Sequence, residues 1–489
     1  MTHNHLLHST RRSFLAMIAG GYAAYPSLRE TVSRQTPTSI DTKVYLSHPA
    51  RFTTRIPTTW NPDDTLRYDY ASRDGFISGR NLNDPYTNIT SLDQASEIAA
   101  SSWRFEGNAR VSPRRWQGLD ARSISSSSDP GAPISLVFVH PTALANGLSI
   151  YAELTTSNHF FESTIGAVSF DPKVVTLELY VNTAADFMEA HSIMRNSIRW
   201  AELRSEALST LSRYADTNQL WLAAGALQVL LAAIASAGGD GHNALWTPDV
   251  VSRVAGLQAS SGPTGQALGQ GIGYLNIPGF SGNDDAGRAF AQSIRNLLVE
   301  QAPYATVGWV IDLRSNPGGQ MYPALWGLLP LLRRGSLLTL LSANGTTSRI
   351  TQTDRRVLAL GGEELAPFIP SAQSEWQAVA ASRRRIAILV DSTTASAGEA
   401  TMLALNAGTC STTVGQATAG MLTAPTTLDL FDGSRLMVST WWVGSHNGGI
   451  YQGHFMPDLE VAGSGDSPPS AADKVAGAGT RWLLGDDDS

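Results

Sequence analysis

Ile386-Ala-Ile-Leu-Val-Asp-Ser-Thr-Thr-Ala-Ser-Ala-Gly-Glu-Ala400 decides how the rest of the chain is read. Ile386 to Val390 is an unbroken apolar, largely β-branched run of the kind that forms a strand buried on both faces. The run stops at Asp391, small residues follow to Gly398, and Glu399-Ala-Thr-Met-Leu-Ala-Leu-Asn406 reads as a helix. Ser396 is thereby expected on a strand-to-helix turn. Backbone N–H groups at a helix start have no intrahelical acceptor, and the helix dipole favours negative charge there. One turn can then present a hydroxyl nucleophile and donate to an oxyanion. The same residues, Ser392, Thr393, Thr394 and Ser396, also suit plain N-cap and turn positions, so the stretch needs support from elsewhere.

The chain has 489 residues, 42% of them hydrophobic and 16% charged, with a net charge of −7. That composition fits two or three packed domains and excludes a disordered chain. No run of Lys or Arg lies beside exposed aromatic residues, so no nucleic-acid partner is expected. Lys43, Lys173 and Lys474 are the only lysines, and Cys410 is the only cysteine. A lone cysteine rules out an internal disulfide and a Cys-rich metal site, and its apolar helix-to-strand surroundings predict burial. No cofactor and no metal is called for.

Residues 1–25 carry Arg11-Arg12 followed by the apolar Ala16-Met-Ile-Ala-Gly-Gly-Tyr-Ala-Ala24. Paired arginines before a short, mildly apolar segment are the layout of a twin-arginine export signal. An extracytoplasmic location follows as the expectation: periplasmic, cell-envelope or secreted. No later segment is long and apolar enough to span a bilayer, so no stable membrane insertion is expected. Residues 26–42, mixing Pro, Ser, Thr and Arg, read as a linker.

From 43 to 172 short alternating runs dominate: Lys43-Val-Tyr-Leu, Leu66-Arg-Tyr-Asp-Tyr, Gly75-Phe-Ile-Ser-Gly, Ile134-Ser-Leu-Val-Phe-Val and Leu148-Ser-Ile-Tyr-Ala-Glu-Leu. They predict a small, mainly β module with one helix near Leu92 to Ser102. The Ser-rich 123–128 and Gly131-Ala-Pro read as a flexible loop. The patterning loosely resembles PsbP, and a binding or substrate-delivery role is its best fit; His140 and His159 lack a partner at useful spacing. Helical periodicity takes over at Ala184, and Leu220 to Ala237 reads as an almost continuous apolar helix ending at Gly238-Gly239. Asp240-Gly-His242-Asn then sets a histidine on a tight turn. Further on, Gly308-Trp-Val-Ile-Asp-Leu-Arg-Ser-Asn-Pro-Gly318-Gly319 is a strand running into a glycine turn. Without Cβ atoms, Gly318 and Gly319 let backbone N–H groups approach a ligand.

Six motifs in order, over residues 180–487, resemble family S41 of the serine peptidases, the C-terminal-processing (tail-specific) and tricorn-core group. They are Asp240-Gly-His-Asn, Gly273-Tyr-Leu-Asn-Ile-Pro, Ile311-Asp-Leu-Arg-Ser-Asn-Pro-Gly-Gly, Thr394-Ala-Ser-Ala-Gly-Glu, Val414-Gly-Gln-Ala-Thr-Ala-Gly and Tyr451-Gln-Gly-His-Phe-Met-Pro-Asp. The resemblance implies an α/β fold: a ClpP/crotonase-like spiral βαβ core with an N-terminal helical segment. It implies Ser396 as nucleophile, with Gly318, Gly319 and Ala397 forming the oxyanion hole.

Departures from the family pattern bear on mechanism. Tail-specific proteases place a catalytic lysine after a Thr-x-Gly turn, but Met421 follows Thr418-Ala-Gly420, and no lysine lies in a matching motif. About thirty residues separate His242 from Gly273, too few for the PDZ insert of those proteases. The tricorn-like arrangement remains, with His242 as general base. The third member, usually a glutamate, falls at Gln452, which can fix an imidazole tautomer but cannot offset its charge. His446 and His454 are alternative bases; Glu399 and Asp458 read as structural. Trp441-Trp442 lines a hydrophobic cleft or packs in the core. The expected activity is hydrolysis of peptide bonds in a peptide or protein substrate through an acyl-enzyme. The alternatives are a catalytically idle S41-like protein binding a hydrophobic ligand or peptide, and a serine esterase. Oligomeric state is left open.

Overall fold

A computed structural model describes residues 42–486, apart from 50, 64–68, 73–74, 83–88, 90, 103–108, 127–128, 142–150, 213–218, 257–261, 283, 354–356, 366–376, 378, 380–384, 409 and 463–472. The expected export signal, nearly all of the expected linker, most of the strand expected at Leu66 and the start of that expected at Leu148 lie outside the described residues. The chain forms two compact units. One runs to Ala255 and resumes over Pro425–Thr440; the other comprises Gly256–Ala424 and the chain from Trp441 onward.

The first unit begins with the expected β module. An antiparallel sheet runs in the order Asn61–Pro62, Tyr70–Ser72, Gly75–Asn81, Tyr151–Thr156, Asp129–Val139, Leu119–Ser126, Ala109–Trp116. Ile98 and Ala99 of the helix Leu92–Ser102 cover Ile124 and Val137 on one face. Phe161 and Ile165 of Asn158–Gly166 join Phe138, Phe52 and Trp60 on the other. Of the predicted loop, residues 123–126 and Gly131-Ala-Pro lie instead in two paired strands, Leu119–Ser126 and Asp129–Val139, while 127–128 fall outside the described residues. Ala121 and Ile124, both fully buried, anchor the first of them to the core, with half-buried Arg122 and Ser123 between them. Irregular register at Ile124 to Ser126 absorbs the change in pairing.

Helices Leu177–His191 and Trp200–Ser209 follow. The first begins seven residues before the expected start, because Thr176 caps it by accepting from Leu179 N–H at 3.1 Å. The apolar helix opens as a 3-10 turn, Leu220–Ala223, and continues as Ala224–Ser236. Pro425–Thr440 is the tip of a hairpin. There Phe431 N–H donates to buried His48 Nδ1 at 3.3 Å, which leaves Nε2–H to donate to Tyr180 O at 3.2 Å. Tyr180 OH donates to Asp432 at 3.0 Å.

The second unit is built on a sheet in the order Thr264–Gly269, Ile272–Asn276, Gly308–Asp312, Ile386–Val390, Ser411–Gly415, Leu459–Glu460, parallel after its first pair. Ile386–Val390 lies inside it and is buried at all five positions, as its composition requires. Ala387 and Leu389 point to one face and meet Val475, Ala476 and Leu483 of the closing helix Lys474–Leu484. Helices Asp284–Gln301 and Ala397–Asn406 make the crossovers. Asp473 caps the closing helix and Arg314 ties that cap to buried Asp312. Burial opposes ionisation of Asp473, but the hydrogen bonds from Arg314 and the helix N–H groups hold its carboxyl below the usual range. A second, antiparallel layer runs Gly335–Ser342, Thr347–Gln352, Leu358–Leu360, with Trp441–Gly444 beside the first of these. Trp441 is buried. Cys410 is exposed, not buried as expected: its carbonyl pairs with Ile386 N–H at 2.9 Å while its thiol faces outward from the connection. Among the described residues no helix is long and apolar enough to cross a membrane.

Burial lowers His48 to about 4, and burial together with the nearby Arg195 lowers His191 to about 3. Both residues are neutral when folded and take up protons on unfolding once the pH falls below about 6.5. The stability that they protect is complete above that value and is lost as the pH falls toward 4 and 3. Linkage gives roughly 2 kcal/mol for each at pH 5. Urea unfolding at pH 7.5 and pH 5 should show that loss in the first unit, and His48→Gln should halve it.

Candidate active site

The nucleophile candidate sits where the central strand of the second unit hands over to its helix. Ser396 is the N-cap of Ala397–Asn406, with φ 53° and ψ −116°. That region is costly for a residue with a Cβ, by about 1–3 kcal/mol, and persists only where surroundings impose it. The surroundings here are specific. Thr394 Oγ1 donates to Leu313 O at 2.9 Å, and Ala395 N–H donates to Asn316 O at 2.9 Å. Both bonds fasten the turn to the glycine loop of the neighbouring strand.

Gly318 lies directly against this turn. A Cβ on Gly318 would stand 2.8 Å from both Ala395 O and Ser396 Cβ and 3.0 Å from Ala397 N, and its φ is +97°. Only glycine fits. Its N–H donates to Asn316 Oδ1 at 2.9 Å. Phe280 N–H donates to Gly318 O and Gln320 N–H donates to Phe280 O, so the Gly319 N–H between them faces away from Phe280. Ala397, the first helical residue, carries one of the N–H groups that helix geometry leaves without an intrahelical acceptor.

Glu399, fully buried, organises the far side of the turn. Its carboxylate accepts from Ser396 N–H at 2.9 Å, Thr418 Oγ1 at 2.5 Å, Gly420 N–H at 3.0 Å and Met421 N–H at 2.9 Å. The Thr418-Ala-Gly-Met turn, noted in the sequence for its missing lysine, is thus bound to the Ser396 turn. Thr418 O also meets His454 Nδ1 at 2.6 Å, which fixes that proton on Nδ1 of an exposed ring. Gln452 is exposed, and His446 lies beyond the strand ending at Gly444. Asp458 is spent on Thr413, accepting from its N–H and its hydroxyl at 2.9 and 2.8 Å.

His242 belongs to the first unit and is buried. Its Nδ1 lies 3.2 Å from Asp240 Oδ2, and its backbone N–H donates to Asp240 Oδ1 at 3.1 Å. Ser439 Oγ donates to that same Oδ1 at 2.8 Å. Asn243 Nδ2 donates to Asp240 O and to Ser439 Oγ, both at 3.1 Å. Sequence reasoning looked for the carboxylate near Tyr451 and passed over Asp240. The available signal was an acid two residues before a histidine on a glycine turn. Ser439, 199 residues from Asp240, left no local signal.

Residues 271–461 match the model of Peptidase family S41. The chain is 26% identical over 286 residues to the nisin-resistance protein of Lactococcus lactis subsp. lactis, covering 58% of this chain and 82% of that one. A lipoprotein from Streptococcus agalactiae superposes with a TM-score of 0.51 at 22% identity, over 64% of this chain and 98% of the other. The photosystem II D1 C-terminal processing protease gives a TM-score of 0.41 at 16% identity, over 59% and 94%. The resemblance to S41 peptidases holds. The chain carries an S41-like α/β fold with a small β module at its N-terminus, and the match supports a peptidase.

Glu399→Gln should cost about 2–4 kcal/mol in urea unfolding. It turns an amide NH2 toward N–H groups that need an acceptor, and lost charge-assisted bonds are worth about 1.5–3 kcal/mol each. Gly318→Ala should shift the Ser396 turn and abolish labelling of Ser396 by a fluorophosphonate, with the fold retained by circular dichroism.

Proposed function

We propose that the protein is an extracytoplasmic serine peptidase that hydrolyses peptide bonds in a peptide or protein substrate with Ser396 as nucleophile and His242 as general base. Ser396 Oγ attacks the scissile carbonyl carbon while its proton passes to His242 Nε2. The carbonyl oxygen becomes an oxyanion opposite the N–H of Ala397 and those of the Gly318-Gly319 turn, where the Gly318 donor exchanges its bond to Asn316. The C–N bond then breaks, and the proton goes from His242 to the leaving amine. Water attacks the acyl-enzyme by the reverse sequence, with His242 again taking and returning the proton.

The observation that carries this reading is the strained backbone of Ser396 at a helix start, with a glycine that tolerates no Cβ packed against it. Strain held by so many bonds is a feature of sites that present a reacting group. The pairing with His242 rests on its motif and on the carboxylate beside its ring. Location outside the cytoplasm rests on Arg11-Arg12 and the apolar segment after it. It is supported by relatives described as a lipoprotein and as a nisin-resistance protein.

A fluorophosphonate probe should label the purified protein, and Ser396→Ala should abolish labelling; labelling that survives this change overturns the assignment. Matched ester and amide substrates then separate a peptidase from an esterase. Saturable binding of a hydrophobic ligand without turnover of any peptide would indicate an idle binding protein.

A further inference from the structure

We infer that Asp240, held by Ser439, is the positioning carboxylate for His242, in place of the residue at Gln452. The inference deepens the Ser396 and His242 reading and rests on it for its catalytic meaning. Asp240 and His242 side chains are only 11% and 7% exposed, whereas Gln452 is in solvent.

An aspartate that merely shapes the Asp240-Gly-His turn needs one oxygen, the Oδ1 that accepts from His242 N–H. The other oxygen has no part in such a turn, yet it stands 3.2 Å from the imidazole Nδ1. A carboxylate oxygen only accepts, so the proton is drawn to Nδ1 and the lone pair is left on Nε2. A general base needs that tautomer. The negative charge also offsets the imidazolium formed when His242 takes the serine proton, which the amide of Gln452 cannot do.

The carboxylate is also kept from rotating. Ser439 Oγ donates to Oδ1, and Ser439 is itself fully buried and fixed on three sides. Its N–H donates to Asn243 Oδ1 at 2.9 Å, its carbonyl accepts from Ile193 N–H at 2.9 Å, and its Oγ accepts from Asn243 Nδ2. Each oxygen of Asp240 therefore has an assigned direction, and the ring takes its orientation from them.

The test uses the full chain and reads the tautomer of neutral His242 by its ring nitrogen resonances, in a Ser396→Ala background so that the readout is independent of turnover. The expected state is protonated at Nδ1, changing to protonated at Nε2 in Asp240→Asn. With Ser396 intact, Asp240→Asn should slow fluorophosphonate labelling on the order of 10³- to 10⁴-fold. An unchanged tautomer in Asp240→Asn, or the same tautomer change in Gln452→Ala, overturns the inference. If Asp240→Asn does not fold, Ser439→Ala decides. Mixed tautomers with labelling slowed about tenfold or more support the inference, and a wild-type tautomer and rate overturn it. Labelling that persists in Ser396→Ala would instead sink the peptidase reading and leave the tautomer result standing.

Discussion

A single carboxylate, that of Glu399, carries much of the architecture around Ser396. Burying an unpaired charge is prohibitive, and burying one with a full set of donors is tolerable because each bond is charge-assisted. Glu399 collects four donors from two segments that are distant in sequence: the Ser396 turn at the start of its own helix and the Thr418 to Met421 turn. Neither turn can relax without exposing the charge or stranding a donor. The unfavourable backbone of Ser396 is held by this requirement from one side and by the Asn316 and Leu313 carbonyls from the other.

The core strand and the turn after it were legible because their signals are local. Five apolar residues bounded by Asp391 mark a buried strand, and the small residues before Glu399 mark a helix start. The glycines at 318 and 319 were legible for the same reason, since both take positive φ. Composition misled at Ser123 to Ser126, where hydroxyl side chains suggested a loop but two buried residues, Ala121 and Ile124, hold a strand. Local apolarity also misled at Cys410, because the facing of a connection is set by the elements it joins.

Long-range contacts account for the rest. The sequence shows Asp240 and His242 as neighbours, but not which way the carboxylate turns. That depends on Ser439, which arrives from a hairpin whose own anchors are His48 and Tyr180. The S41 pattern directed attention to the position before Gly453, where Gln452 stands, while the acid beside the imidazole lay inside the histidine motif itself.

The hairpin tip at Pro425–Thr440 also has a consequence in time. The chain leaves the first unit after Ala255 and returns to it at Pro425. A ribosome adding roughly 5–20 residues per second takes roughly 10–40 s to travel from Asp240 to Ser439. Throughout that interval the nascent first unit has its histidine but lacks the serine that steadies its carboxylate. The histidine turn is completed only after the Ser396 segment has been made, so the order of synthesis delays a finished Asp240 and His242 pair until Ser439 has been added and has folded back.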